Sequence, residues 1–282
     1  MPKNPLGEWV DHLISWLLTT MPWLFDGISS VVGTVVDGLT TALTVPPFPV
    51  WIAVFAVVAW FARGWRLAAF TVAAFLLVVS SRLWDQMMQT LAVVIVAAVV
   101  ATVTSVPTGI WTARSPAARS VLRPLLDAMQ TMPVFVYLIP AVFFFGVGTV
   151  PGVVATAVFA VPPGVRLTEL GIRGVDPEVV EASRSCGATS LQVLRTVQLP
   201  LAFPSVMAGI NQIIMMSLSM VVVAGVSGAA GLGAVVVSAV TQLDVAAGFD
   251  GGLAVVVLAV FLDRVTGAVA VRRSRALDLA AG

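Results

Sequence analysis

Asp176-Pro177-Glu178-Val179-Val180-Glu181-Ala182-Ser183-Arg184-Ser185-Cys186-Gly187-Ala188-Thr189-Ser190-Leu191-Gln192-Val193-Leu194-Arg195-Thr196-Val197-Gln198-Leu199-Pro200 is the longest polar interval in an otherwise apolar chain. Its residues spell two short helices meeting at a glycine. Asp176 can accept from the free N–H groups of a first turn, and Pro177 fits the first helical position because it has no N–H to satisfy. Glu178 and Glu181 set negative charge near the positive end of that helix. Gly187 is the natural stop, since glycine takes the left-handed conformation that closes a helix. Thr189 followed by Gln192 has capping-box spacing and restarts a helix through Leu191, Val193, Leu194 and Val197, which Pro200 is expected to end. Cys186, beside the glycine, reads as a small packing residue.

Outward from this interval the chain is oil. Of 282 residues 59% are hydrophobic and 10% charged, with a mean hydropathy of +1.03. Soluble domains carry about 25% charged residues, so this is an integral membrane protein. Long apolar runs set off by arginine clusters predict an all-α bundle, not a barrel of alternating ten-residue segments. Seven spans are expected, at about 50–62, 67–81, 87–111, 126–145, 152–170, 201–226 and 252–270, the fourth kinked near Pro133 and Pro140 and the fifth broken by Pro162-Pro163. The first two are short for a hydrocarbon core that needs about 20 residues.

Segment 1–47 shows helical spacing of Ile28, Val31, Val32, Val35, Val36 and Leu39, with Asp26 and Asp37 opposite. That pattern, with Trp9, Trp16 and Trp23 at seven-residue intervals, predicts an extracytoplasmic interfacial helix with an aromatic anchor. Segment 48–85 would hold two short peripheral spans, 86–270 the main bundle with the loop at 174–200, and 271–282 a cytoplasmic tail. With that loop inside, seven spans place the N-terminus outside and the C-terminus inside. Only Lys3 and Arg82 of the fifteen basic residues then lie outside, as the positive-inside rule requires. The N-terminus lacks a basic stretch leading into an apolar one, so no cleaved signal is expected.

Chemistry in the chain itself is sparse. Lys3 is the only lysine, which rules out a Gly-Lys-Ser/Thr phosphate loop, and His12 is the only histidine. One cysteine excludes an internal disulfide. The run Gly225-x-x-Gly228-x-x-Gly231-x-Gly233 has no basic partner and reads as a re-entrant or closely packed turn. No enzyme, metal centre or nucleic-acid partner is expected. Intramembrane polar residues are the candidates for a solute path. Asn211, Gln212, Met216 and Ser219 on the sixth span, and Gln130, Thr131 and Tyr137 on the fourth, either line such a path or bind helices together. Arg123–Asp127 and Arg166–Glu169 have the spacing of local ion pairs, and Asp263 adjoins Arg264.

The interval carries a resemblance. Glu181-Ala182-Ser183, three residues, Gly187, nine residues and Val197-Gln198-Leu199-Pro200 resembles the EAA loop of ABC-importer permeases. Ser183 and Val197 are mild departures from alanine and isoleucine. Further stretches are Arg123-Pro124-Leu125-Leu126-Asp127-Ala128-Met129-Gln130-Thr131-Met132-Pro133, Phe135-Val136-Tyr137-Leu138-Ile139-Pro140, Val150-Pro151-Gly152-Val153-Val154 and Leu218-Ser219-Met220-Val221-Val222. With them, residues 86–270 resemble the glycine betaine/proline permease family of compatible-solute importers.

The resemblance implies a type I ABC importer transmembrane domain in the bacterial cytoplasmic (inner) membrane. A second permease copy or paralogue would complete the pore, and an ATP-binding subunit dimer would hold ATP and Mg. An extracytoplasmic substrate-binding protein would select the solute and dock near 146–151 and 228–250. The loop would lie in a groove of the ATPase, filled by Ala182, Val193 and Leu194. Glu181, Arg184 and Arg195 would supply charged contacts, and Ser183, Gly187, Leu199 and Pro200 would complete the motif. The same machinery with choline, carnitine or an amino acid as cargo, and an ion-coupled carrier or channel, are the alternatives.

Overall fold

The computed structural model describes the backbone of residues 5–281 and the side chains of residue 9 and residues 12–268. Lys3 and the side chains of Arg272, Arg273 and Arg275, which entered the orientation count, lie outside the described residues. All regular structure among the described residues is helical. In chain order these helices are α1 (Pro5–Thr20), α2 (Pro22–Thr44), α3 (Phe48–Arg63), α4 (Trp65–Ser80), α5 (Trp84–Arg114), α6 (Pro116–Thr131) and α7 (Phe135–Phe145). Then come α8 (Thr149–Arg173), α9 (Pro177–Ser185), α10 (Ser190–Val193), α11 (Leu199–Ser219), α12 (Val221–Val226), α13 (Leu232–Gln242) and α14 (Val245–Ala281).

The centre of the molecule is the mutual packing of α5, α8 and α11. In lipid, apolar side chains gain little by leaving the bilayer for a protein neighbour, so helices associate where small residues let their backbones come close. Gly164 is that place. A Cβ on it would come within 2.6 Å of Ile213 Cδ1 and 2.8 Å of Ser105 Cβ, so α5, α8 and α11 all crowd one hydrogen atom. Gly109 repeats the arrangement further along α5, where a Cβ would lie 2.6 Å from Thr168 Cβ. Ala101, Ala160 and Ile213 are fully buried in the same seam.

Around this centre α14 packs on α11, and the α3–α4 hairpin packs on α14. The hairpin reverses at Gly64 (φ +89°). It is keyed to the bundle by rings: Phe55, Phe75 and Phe261 lie 5.2–5.5 Å apart, and Trp84 meets Phe75 at 6.1 Å. On the other side α12 and α13 form the closely packed turn expected of the glycine run. A Cβ on Gly233 would collide with the carbonyl of Val221, and one on Gly225 with the backbone of Gly233–Ala234.

Two proline expectations need correction, and the kink expected at Pro133 proves to be a full break. Helix α8 is not broken at Pro162-Pro163; both prolines are buried inside one continuous helix. Their fixed φ suits a helix, and close neighbours hold the turn where ladder bonds are missing. The expected fourth span is not one helix. α6 and α7 meet at 98° across a four-residue-or-shorter break. Pro133 is the cause, since it pushes Met132 into an extended conformation (ψ 136°). Pro140, by contrast, sits within α7. Finally, Pro200 does not end a helix but occupies the first turn of α11.

Among the described residues five helical runs are long and apolar enough to cross a membrane, or six with the bent α6–α7 pair. They include Pro22–Thr44, whereas α3 and α4, at 16 residues each, are shorter. Sixteen residues rise about 24 Å, against about 30 Å of hydrocarbon. Helix α2 lies along α5 with Val36 buried and Val32 and Leu39 packed against Val93, Val96 and Ala97. Val31 and Val35, expected on the same apolar face, are 65% and 50% exposed. The helix therefore shows apolar side chains outward as well as inward.

The glycine seam yields the first prediction. Gly164→Leu should destabilise the chain by about 3 kcal/mol or more through overpacking. Gly27→Ala, where a Cβ meets nothing within 4 Å, should leave stability unchanged or raise it slightly. Unfolding midpoints of the two variants in the same detergent measure the difference.

Candidate functional site

The polar interval between α8 and α11 folds locally as its residues dictate. Asp176 caps α9, accepting from the Glu178 N–H at 2.9 Å. The chain turns at Gly187 with φ +84°, and the Ala188 N–H reaches back to the Ser183 carbonyl at 3.2 Å. A capping box then starts α10. The Thr189 N–H donates to Gln192 Oε1 at 2.8 Å, and the Gln192 N–H donates to Thr189 Oγ1 at 3.4 Å. Between α10 and α11 lies an element that no residue pattern announces, a single wide π-turn over Leu194–Gln198. It displaces the hydrogen-bond ladder just ahead of Pro200, which has no N–H to contribute.

Burial divides the interval into an anchored side and an open side. Val193 is 1% and Leu194 5% exposed, and Leu194 packs with Ile172 of α8 and Ala202 of α11. This corrects the expectation that Val193 and Leu194 fill a partner's groove: both are consumed in fixing the loop to the two helices it joins. Leu199 and Pro200 are half-buried beside them, and Ser183 is half-buried on α9. Glu181, Ala182, Arg184, Gly187 and Arg195 are exposed. Cys186 is exposed too, so it is not the packing residue its size suggested. The apolar side chains that do face outward are Val179 and Leu191, which sequence reasoning missed. The i,i+3 spacing of Val179 and Ala182 was the available signal.

The ion pairs are also rearranged. Instead of local pairs, α6 exchanges charge with α8. Glu169, buried on α8, meets Arg119 Nε at 2.8 Å and Arg123 Nη2 at 3.4 Å, while Arg166 pairs with Asp127. Partners on a neighbouring helix reach a buried carboxylate that a same-helix arginine, pointing elsewhere, leaves unsatisfied. Asp263 lies 4.0 Å from Arg264, and it also accepts from Asn211 Nδ2 at 3.0 Å.

That contact separates the candidate path residues. Asn211 further accepts from the Thr266 hydroxyl, so it ties α11 to α14. Gln212 and Ser219 are exposed on another side of α11, with Met216 partly buried between them. Gln130 and Thr131 are both exposed at the last turn of α6, next to the break. Tyr137 bridges the break: its hydroxyl donates to the Met129 carbonyl, and its ring meets Phe159 edge-on at 5.6 Å. Nothing in these groups supplies a nucleophile or an acid–base pair. The arrangement is that of a lever rooted in a helix bundle, beside a polar stripe on α11.

The fold is that of a permease subunit. It is similar to the MetNI methionine ABC transporter, solved in an inward-facing conformation, with a TM-score of 0.62 at 20% identity, covering 68% of this chain and 95% of that one. Residues 105–275 match the family described as the inner membrane component of binding-protein-dependent transport systems, and the chain belongs to that family. It is 44% identical over 97% of both chains to the glycine betaine transport system permease protein OpuAB of Bacillus subtilis. It is 47% identical to the glycine betaine/carnitine transport permease protein GbuB of Listeria monocytogenes, over 94% of this chain and 95% of that protein. The glycine betaine/proline betaine transport system permease protein ProW of Escherichia coli is 46% identical over 94% of this chain and 75% of its own length.

Two substitutions distinguish root from open face. Val193→Ser should destabilise the loop by about 2–3 kcal/mol, seen as faster proteolysis between α8 and α11, whereas Leu191→Ser should leave proteolysis unchanged. Similarly, Asn211→Leu should lower the unfolding midpoint by removing the hydrogen bonds to Asp263 and Thr266 that tie α11 to α14, while Gln212→Leu should not.

Proposed function

We propose that this chain is the transmembrane permease subunit of an ATP-driven, binding-protein-dependent importer of glycine betaine- and proline betaine-type osmolytes. The observation that carries the reading is likeness along nearly the whole chain, at 44–47% identity, to permeases named for glycine betaine. An ATP-binding subunit dimer would bind ATP and Mg and meet the open side of the 176–200 loop, where Glu181, Arg184 and Arg195 flank Val179, Ala182 and Leu191. A second copy or a paralogue would complete the pore. Gln212, Met216 and Ser219 would then face the solute, with Gln130, Thr131 and Tyr137 opposite. The binding protein would dock near 146–151 and 228–250, and the loop side and the C-terminus would be cytoplasmic, the N-terminus outside.

In this cycle the ATPase pair closes on ATP, the two loops approach, and the bundles rotate to admit solute from the binding protein. Hydrolysis then resets the path inward. The wide π-turn and the buried Val193–Leu194 root support such a transfer of force, because the loop can move only by moving α8 and α11. Carnitine is the second cargo to consider, because GbuB, at 47% identity, is named for glycine betaine and carnitine.

The test is uptake of labelled glycine betaine into vesicles holding the permease, its ATPase and its binding protein. Accumulation should require ATP and survive an uncoupler; uptake that the uncoupler abolishes under saturating ATP would point instead to an ion-coupled carrier. Gly187→Asp, which puts a side chain at φ +84°, should cut uptake at least tenfold while membrane insertion is kept.

A further inference from the structure

At the end of the bundle that bears the 176–200 loop, α6 and α8 enclose a cavity of about 390 Å³ lined by Arg119, Arg123, Asp127, Arg166, Glu169 and Arg173. Four guanidinium groups face two carboxylates there, so two positive charges are in surplus. Asp127 is matched by Arg166, and Glu169 is shared between Arg119 and Arg123. Glu169 is only 4% exposed and forms the floor of the cavity, whereas Arg123, Arg166 and Arg173 reach solvent at its mouth. Arg119 Nε, although 2.8 Å from Glu169, has no aligned hydrogen bond and is itself buried. Among the described residues Arg173 has no carboxylate within 4.0 Å.

Surplus positive charge gathered at one mouth raises the local concentration of anions. Guanidinium forks are shaped for the two-oxygen edge of phosphate or carboxylate, and charge-assisted bonds to them are the strong ones. Leu170 lines the same cavity at 64% exposure, and Val121 and Leu125 stand exposed on α6, so apolar surface adjoins the charge. From these features we infer that the cavity is an oxyanion site for a phosphate group, held by Arg173 with Arg119 and Arg123. The phosphate belongs either to a phospholipid headgroup or to a soluble anion. The site borders the loop, since Arg173 also lines a pocket with Glu181 and Arg184, but it is separate from the polar stripe on α11 and does not depend on which solute is carried.

The experiment uses the full-length permease, with its partner subunits, in nanodiscs of phosphatidylcholine alone. Its unfolding midpoint is followed as inorganic phosphate is added, with sodium chloride at matched ionic strength as the screening control. A parallel set replaces about one fifth of the lipid with phosphatidylglycerol. A ligand that binds only the folded protein raises the midpoint as its concentration exceeds its dissociation constant. A rise with phosphate in phosphatidylcholine assigns a soluble anion; a rise only with phosphatidylglycerol assigns a headgroup. Either rise should fall several-fold in Arg173→Gln and in Arg123→Gln, recover in part in Arg173→Lys, and persist in Arg195→Gln. No rise from either source, an equal rise with chloride, or a rise undiminished in Arg173→Gln would overturn the site.

Discussion

The crowding of side chains from α5 and α11 onto the bare backbone of Gly164 is the constraint on which the rest of the structure depends. It brings Ser105 of α5 and Ile213 of α11 against the same point of α8. The polar interval leaves the end of α8 and returns into α11, so the spacing of those two helices sets the width over which the loop must close. Leu194 fits between Ile172 and Ala202 only because that spacing is held. Lipid supplies no squeeze on such a bundle; complementary small and large side chains do.

Much of this was legible in the sequence because the polar interval is ruled by local chemistry. Asp176, Pro177, Gly187 and the Thr189–Gln192 pair each act within four residues, and each does in the structure what its type predicts. The dense packing at Gly225 and Gly233 was legible from a different signal, a run of residues without Cβ that lets two helices touch through their backbones. What could not be read were events decided between helices. Pro162-Pro163 and Pro200 look like breakers, yet close neighbours and the wide turn before α11 absorb them. Arg123 and Asp127 have the spacing of a pair, but a buried Glu169 draws the first and a facing Arg166 the second. Val193 and Leu194 were apolar residues in a polar stretch, and sequence alone does not say whether such residues face a partner or their own bundle.

The candidate site shows the same division. The motif residues were visible, but their sorting into buried root and open face was not, because that depends on how α9 and α10 pack against α8 and α11. The exposed Val179 and Leu191 emerge only once the two short helices are placed against those long ones. On α11, Asn211 and Gln212 are adjacent in sequence and diverge in role. One step along a helix turns a side chain by about 100°, enough to take it from α14 to an open face.

The π-turn at Leu194–Gln198 has a mechanical consequence. A turn that takes up one additional residue shifts every later side chain by about 100° in azimuth relative to an uninterrupted α-helix. The outward face of α10 is thus out of phase with the faces by which α11 touches its neighbours. A straight thrust on the short helix would therefore arrive at the long one partly as torque, twisting α11 about its own axis and carrying Gln212 and Ser219 sideways.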